Sequence, residues 1–194
     1  NMLGRWRVTH TEVDMTDPRQ VERAIQKNTG LILLETPSNP MLKITDIAAV
    51  ADIARARGIL TACDNTWTTP LIQRPLELGV DLVFHSSTKF FGGHSDALGG
   101  VVIVKKKDDI SMRLREFQVT GGVVPAPFDC WLLNRSLSTL SLRLGRQVQN
   151  AVAIVHFLKT HPLVETVYYP GLPDHPNHAV AGKQMNGRFG SMIS

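Results

Sequence analysis

The chain has 194 residues, of which 43% are hydrophobic and 20% charged, a composition typical of a globular protein with one sizeable core. Its 21 Lys and Arg against 17 Asp and Glu give a net charge of +4 that is spread along the chain, which argues against nucleic-acid binding. No apolar run approaches the roughly 20 residues that cross a bilayer, and Cys63 and Cys130 lie in no zinc-like spacing. We therefore expect a cytoplasmic protein.

The first half of the chain alternates strand-like and helix-like patterns. A continuous apolar segment, Leu31–Leu34, predicts a buried strand and precedes the turn-forming stretch 36–40. A helix is expected next, because apolar residues recur at helical spacing between a capping Thr45 or Asp46 and a terminating Gly58.

Further apolar segments predict strands at Ile59–Cys63, Val80–Phe84 and Leu98–Val104, and a short helical turn is expected at Pro75–Gly79. Strands with continuous rather than alternating apolar residues, separated by helices, favour parallel pairing with right-handed crossovers. The first half is therefore predicted to form a layered α/β structure with a mainly parallel sheet.

The second half has mainly helical patterns. Helices are predicted at Asp108–Gln118 and at Pro127–Leu158, the second with a kink or a division at Gly145. A strand at Val164–Tyr169 and a Pro-rich loop at Gly171–Asn177 follow. This change of pattern predicts a boundary between a sheet-centred domain and a smaller one.

The predicted sheet indicates where a ligand would bind. In a parallel sheet, ligands lie beyond the carboxyl ends of the strands, because the loops there project to the same side. Such loops are predicted over residues 35–40, 64–69 and 85–94. We expect their polar residues to meet in space although they are far apart in sequence.

Lys89 has the most distinctive surroundings in these loops. It follows an apolar strand and lies between the hydroxyl residues Ser86 and Thr88 and an aromatic pair, so we expect its amine to lose part of its solvation. A neutral amine forms Schiff bases with aldehydes, which is how pyridoxal phosphate is anchored. The hydroxyls can donate to a phosphate, and Asp64 can keep a pyridine nitrogen protonated. A solvated loop lysine beside a turn-forming Asp64 is the alternative, and spacing alone leaves both open.

Other ligand-site patterns fit less well. The Walker order is not met because Lys89 precedes the glycine pair, and GxGxxG does not occur. The stretch 93–97 resembles a nucleophile elbow but ends in Ala97 where glycine is expected. The histidines of 175–178 lie in a Pro-rich loop without a third ligand nearby, so no metal site is predicted.

A family resemblance is carried by stretches that occur in order along nearly the whole chain: Glu35–Pro40 (ETPSNP), Asp64–Thr66 (DNT), Ser87–Lys89 (STK) with Gly93–Asp96 (GHSD), and Tyr169–Pro173 (YPGLP). Together they resemble the trans-sulfuration, or Cys/Met-metabolism, family of pyridoxal-phosphate enzymes. Its members include cystathionine γ-synthase, cystathionine γ-lyase, cystathionine β-lyase and methionine γ-lyase. Ordered motifs of this kind are far more specific than any one of them.

The resemblance implies roles for the candidate site residues. Lys89 would carry the cofactor as a Schiff base and later move protons, and Asp64 would pair with the pyridine nitrogen. Ser86 and Thr88 would hold the phosphate. Asn39 would help to bind the substrate carboxylate or the phenolic oxygen of the cofactor. Thr66 would line the cofactor ring.

The resemblance also implies a fold and an assembly. It implies an aspartate-aminotransferase-like three-layer sandwich, assembled as a homotetramer. Residues 1–125 would be part of the large cofactor-binding domain, and residues 126–194 the connecting helices and the beginning of a smaller α+β domain. The chain starts in mid-segment at Asn1 and stops within the apolar run 189–194, so we expect a piece of a longer protein. The ring-stacking tyrosine and carboxylate-binding arginine of the family fall outside it, so we expect activity from the complete protein.

The expected reaction is elimination or replacement at Cγ of an amino acid such as cystathionine, cysteine or an O-acylhomoserine, since residues 124–130 resemble γ-synthase and γ-lyase members. Residues 64–67 also suit other members, so cystathionine β-lyase, methionine γ-lyase and O-acetylhomoserine sulfhydrylase stay open. From another class, a catalytically dead piece or a nucleotide-binding α/β module is the alternative.

Overall fold

The computed structural model describes residues 2–194, and side-chain surroundings from residue 4 onward. In chain order its elements are α1 (Met2–Arg5), α2 (Pro18–Ala24), β1 (Leu31–Glu35), α3 (Ile47–Ala56), β2 (Leu60–Asp64), α4 (Thr69–Ile72), β3 (Leu82–Ser86), β4 (Gly100–Val104), α5 (Asp109–Thr120), α6 (Pro127–Leu137), α7 (Leu140–Lys159) and α8 (His178–Gln184). No helix within the described range is both long and apolar enough to cross a membrane.

The strands form one sheet in the order β1-β2-β3-β4. β1 pairs with β2 and β2 with β3 in parallel, which confirms the mainly parallel sheet and the α/β class. β4 is the exception, because it runs antiparallel to β3, with Ser86 opposite Gly100. The connection of residues 87–99 contains no crossover helix, and a chain that turns back directly pairs antiparallel. The ends of β1 to β3 and the start of β4 consequently lie at one edge.

Helix α3 packs against one face of the sheet, as the helical spacing predicts. Its buried residues Ile47, Val50, Ala51 and Ala54 join the strand residues of the main core. The Asp46 carboxylate caps the helix by accepting a hydrogen bond from the backbone N–H of Ala49 at 3.0 Å. Burial of each large aliphatic side chain contributes about 1.5–3 kcal/mol, so this core fixes the sheet beneath the predicted ligand loops.

A second core cluster joins the loops beyond the strand ends to the last helices. It contains Ile44 of the first loop, Ile72 of α4, Leu144 of α7, Ala181 of α8 and Met185 at the end of α8. The second half of the chain is thereby packed against the carboxyl-end loops rather than attached to the sheet by a linker alone.

The long predicted helix is divided at Ser138 and Thr139 and not at Gly145, which lies inside α7, so the predicted division at Gly145 is wrong. The hydroxyl of Ser138 donates to the carbonyl of Arg135 at 2.6 Å, and that of Thr139 to the carbonyl of Ser136 at 3.1 Å. Such bonds compete with the helical bonds of the backbone, so two hydroxyl residues end α6 where a glycine alone does not.

The predicted strand Val164–Tyr169 does not form. In this segment Tyr168 exchanges two backbone hydrogen bonds with Ser194, and no ladder extends from that pair in the described structure. An apolar run forms a strand only where a neighbouring segment completes its backbone hydrogen bonds. The Pro-rich loop lies as predicted, followed by α8, which sequence patterns did not indicate.

Candidate active site

A cavity of about 880 Å³ lies beyond the carboxyl ends of the parallel strands. This volume falls in the range of about 300–1,000 Å³ that is typical of small-molecule sites. All six residues singled out from the sequence line it: Asn39, Asp64, Thr66, Ser86, Thr88 and Lys89. The expectation that the three loops converge is therefore met, while what each side chain binds stays a prediction.

The register of the sheet brings Asp64 and Ser86 to the rim of the cavity. Asp64 is the last residue of β2, and its Oδ1 accepts a hydrogen bond from the backbone N–H of Thr66 at 2.9 Å. The hydroxyl oxygen of Thr66 in turn accepts one from the backbone N–H of Ser86 at 2.9 Å. Among the described residues, Oδ2 of Asp64 has no hydrogen-bond partner, so this oxygen is available to a ligand in the cavity.

The loop of Lys89 is a series of tight turns closed by β4. The backbone N–H of Gly92 donates to the carbonyl of Ser87 at 2.8 Å, and that of Gly93 to the carbonyl of Lys89 at 2.7 Å. At the base of the loop, the N–H of Gly99 donates to the hydroxyl oxygen of Thr88 at 3.1 Å. The antiparallel strand thus fixes Thr88 beside the cavity.

The side chain of Lys89 is exposed, in contrast to the desolvation expected from its aromatic neighbours. Phe91 turns beneath the loop and stacks on His85, with ring centroids 4.6 Å apart. Phe90 packs against the second core cluster. Both rings therefore support the backbone of the loop instead of covering the amine, which projects towards an open cavity.

Asn39 lies at the tip of the first loop and is also exposed. Ser38 fixes the base of this loop, because its N–H donates to the carbonyl of Lys43 at 2.9 Å and its hydroxyl oxygen accepts from the N–H of Lys43 at 3.1 Å. The Asn39 amide is consequently presented to the cavity by a backbone held from behind.

The sequence analysis missed a buried amide network below the Asp64 loop. Asn65 donates to the carbonyl of Gln73 at 2.8 Å and accepts at Oδ1 from the Gln73 amide at 2.9 Å and the Thr68 hydroxyl at 2.7 Å. Gln73 also donates to the carbonyl of Thr36 at 3.0 Å and accepts from Gln184 of α8 at 3.1 Å. The sequence signals for this network were weak: Asn65 is a polar residue directly after Asp64, and Gln73 is a polar residue that follows an apolar stretch.

The cavity wall also contains a Trp–Glu pair that was not predicted. The indole N–H of Trp67 donates to Oε1 of Glu35 at 2.9 Å, and both residues line the cavity. This bond fixes the indole of Trp67 at the wall of the cavity.

Two buried groups behind the site carry shifted pKa values. Burial raises the pKa of the Cys63 thiol, and the carboxylates of Asp64 and Glu35 raise it further, so this thiol stays protonated and unreactive. Burial lowers the pKa of His85, which the charge of Asp64 opposes only in part. His85 is 4% exposed and its Nδ1 has no partner within the described structure. Its ring is therefore a neutral support for Phe91.

Comparisons with known proteins agree with this geometry. Residues 1–194 match the family described as Cys/Met metabolism PLP-dependent enzyme, and the chain belongs to that family. It is 52% identical to a probable cystathionine gamma-synthase of Herpetosiphon aurantiacus, over 94% of the chain and 56% of the relative. It is 47% identical to a cystathionine beta-lyase of Coxiella burnetii, over 94% of the chain and 47% of the relative. The chain thus spans about half the length of the curated relatives it matches.

The fold has close counterparts among solved structures. A cystathionine gamma-lyase from Lactobacillus plantarum, complexed with L-serine, aligns with a TM-score of 0.95 and 46% identity, over 98% of the chain and 50% of that structure. The family depends on pyridoxal phosphate. An exposed amine, two hydroxyls and a carboxylate line one cavity, and groups of these types fit the aldehyde, the phosphate and the ring nitrogen of this cofactor.

Proposed function

We propose that the complete protein is a pyridoxal-phosphate enzyme of sulfur amino-acid metabolism that eliminates or replaces a substituent at Cγ, as a cystathionine γ-synthase or γ-lyase does. The observation that carries this proposal is the convergence of Lys89, Asp64, Ser86 and Thr88 on one cavity. The membership of the family supports the cofactor, and the similarity of residues 124–130 to γ-synthases and γ-lyases supports chemistry at Cγ.

Each cavity residue has a role in this proposal. Lys89 would hold the cofactor as a Schiff base, Asp64 would keep its ring nitrogen protonated, and the hydroxyls of Ser86 and Thr88 would donate hydrogen bonds to its phosphate. When bound, the cofactor supplies an electron sink that allows the Cα–H bond of an amino acid to break. Asn39 orients the substrate carboxylate or the phenolic oxygen of the cofactor.

Lys89 also moves protons in this proposal. As a free amine beside the bound cofactor, Lys89 would accept the proton of the substrate Cα. Thr66 lines the ring and, through its bond to the N–H of Ser86, fixes the distance between the two loops. The exposure of Lys89 leaves its amine accessible from the cavity.

A β-lyase is the second candidate, since a relative of similar identity is named cystathionine beta-lyase. The products of cystathionine hydrolysis separate the two reactions. Cleavage of the Cγ–S bond with water gives cysteine, ammonia and a four-carbon 2-oxo acid, whereas cleavage of the Cβ–S bond gives homocysteine, ammonia and pyruvate. Chromatography of the products therefore assigns the carbon.

We further propose a cytoplasmic homotetramer whose subunit divides into a cofactor-binding domain, including residues 1–125, and a smaller domain entered through residues 126–194. Large apolar side chains exposed on α5 and α6 support an assembly: Phe117, Phe128 and Trp131 are 62%, 66% and 56% exposed. A face of this kind is usually covered by protein.

Cofactor attachment is the decisive test. Incubation with pyridoxal phosphate should give a visible absorption band that borohydride fixes on Lys89, as located by peptide mapping. Lys89→Ala should remove the band, and Lys183→Ala, at an exposed position of α8, should leave it unchanged. No band in the complete protein would reject the enzyme proposal in favour of a dead scaffold. Protection by ATP or a dinucleotide instead would favour a nucleotide-binding module.

A further inference from the structure

Arg143 grips the Lys89 loop from outside the cavity. It lies on α7, and its guanidinium donates to the backbone carbonyl of Phe90 at 2.9 Å and to that of Phe91 at 3.3 Å. The same side chain donates to the carbonyl of Ser136 at 3.0 Å and to the hydroxyl of Thr139 at 3.0 Å. A planar guanidinium with five donors suits this set of acceptors, which an ammonium group cannot match.

The carbonyls that Arg143 binds directly follow Lys89. Because the Lys89 side chain is exposed, packing of that side chain does not fix its position. The next carbonyl of the loop, that of Gly92, is 2.6 Å from Nδ1 of His94, which in turn lies 3.4 Å from the hydroxyl of Ser136. Two consecutive carbonyls are thus bound by Arg143, and the third by a histidine of the same loop that lies next to Ser136 of α6.

Gly93 is shaped to admit the guanidinium. Its φ is +71°, a region that favours glycine, and a Cβ at this position would overlap Nη1 of Arg143. The glycine therefore serves two purposes, one of conformation and one of space. A side chain at residue 93 would push Arg143 away from the carbonyls.

We propose that Arg143 is a positioning residue that couples the junction of α6 and α7 to the backbone of Lys89 and so fixes where the Lys89 amine projects. Arg143 does not line the cavity and acts only through the loop. The inference rests on the proposed function of Lys89 as the cofactor anchor. Hydrogen bonds from a charged donor are stronger than those from a neutral donor. The bonds from Arg143 are therefore well suited to hold the Lys89 loop, in which the Lys89 side chain itself is not packed.

The test compares Arg143→Ala and Arg143→Lys with Arg146→Ala, a control at an exposed arginine of the same helix. Amide exchange of the peptide 89–94, measured without cofactor, should rise at least about tenfold in Arg143→Ala. The pyridoxal-phosphate concentration for half-saturation should rise by about tenfold as well. Arg143→Lys should recover part of both effects, and guanidinium ions at millimolar concentration should partly rescue Arg143→Ala. Arg146→Ala should behave as the wild type.

A second pair of variants keeps the test informative if Arg143→Ala does not fold. Gly93→Ala should raise the exchange of the peptide 89–94 as Arg143→Ala does, and the two changes should be less than additive. Gly122→Ala is the matched control, since Gly122 has a φ of +67° but a Cβ added there would meet no atom within 4 Å. It carries the same backbone strain without the overlap.

Unchanged exchange of the peptide 89–94 in Arg143→Ala would overturn the proposal. Equal changes in the exchange of the peptide 89–94 in Gly93→Ala and Gly122→Ala would also overturn it. A loss of cofactor affinity that is proportional to the loss of thermal stability would do the same. Failure of the wild-type protein to attach the cofactor at Lys89 would instead overturn the proposed function. The exchange measurement would still decide whether Arg143 holds the loop.

Discussion

The loops that carry Asp64 and Lys89 face the same cavity but are held in opposite ways. The Asp64 loop is fixed from within, because Asn65 is 1% exposed and its amide binds Gln73 and Thr68. The Lys89 loop is exposed at its central residue and is fixed through its backbone. The difference shows that the Asp64 loop is held by a buried network of side chains, whereas the Lys89 loop is held mainly through hydrogen bonds of its backbone and through the packing of Phe90 and Phe91.

Among the variants that test this difference between the loops, Asn65→Ala should have the largest effect on stability. It removes several buried hydrogen bonds and leaves the carbonyl of Gln73 without a donor, so the free energy of unfolding should fall by about 3 kcal/mol. Urea denaturation measures this change. Asn134→Ala, at an exposed position of α6, should change it by less than about 0.5 kcal/mol. Equal effects of the two variants would show that the Asp64 loop is not fixed by its buried amides.

Thr66→Val should have a smaller effect, at the bond that joins the two loops. Valine keeps the shape of threonine but cannot accept the hydrogen bond from the N–H of Ser86, so about 1 kcal/mol of stability should be lost. Thr120→Val, on the exposed end of α5, is the control. If both variants unfold at the same urea concentration, the loops are positioned independently of each other.

His85→Phe should change the pH dependence of stability by the smallest amount. Because burial lowers the pKa of His85 in the folded state, its contribution is present above the ordinary histidine pKa and is lost as pH falls through the folded-state pKa. Phenylalanine keeps the stack on Phe91 and does not titrate, so unfolding should depend less on pH below about 6.5. Thermal unfolding at pH 7.5 and 5 tests this, with His156→Phe, on the exposed side of α7, as the control.

The sequence predicts the α/β class, most of the strands and six residues of the cavity lining. The parallel strands and α3 follow from local patterns, namely continuous apolar runs and helical spacing, and local patterns do not depend on distant partners. The direction of β4 and the absence of the strand at 164–169 depend on what pairs with those segments. The division of α6 from α7 depends on competing hydroxyl bonds at Ser138 and Thr139.

In the candidate site, too, some residues are predictable from local patterns and others are not. The motifs identify Asp64 and Lys89, because each lies at the end of an apolar run. The groups that fix them come from distant parts of the chain: Gln184 lies 111 residues after Gln73, and Arg143 lies 53 residues after Phe90. Such contacts leave no periodic signal in one sequence, so the support of the site becomes visible only in three dimensions.

The antiparallel β4 also has a consequence for handling the protein. β1 and β4 are the edge strands of the described sheet. Each edge strand presents backbone groups together with apolar side chains, such as Leu33 at 56% and Val102 at 54% exposure. Edge strands of this kind favour aggregation between copies of a protein, and lysines beside an edge strand oppose aggregation by charge repulsion. The basic run of residues 105–107 directly follows β4 and places positive charge beside this edge strand.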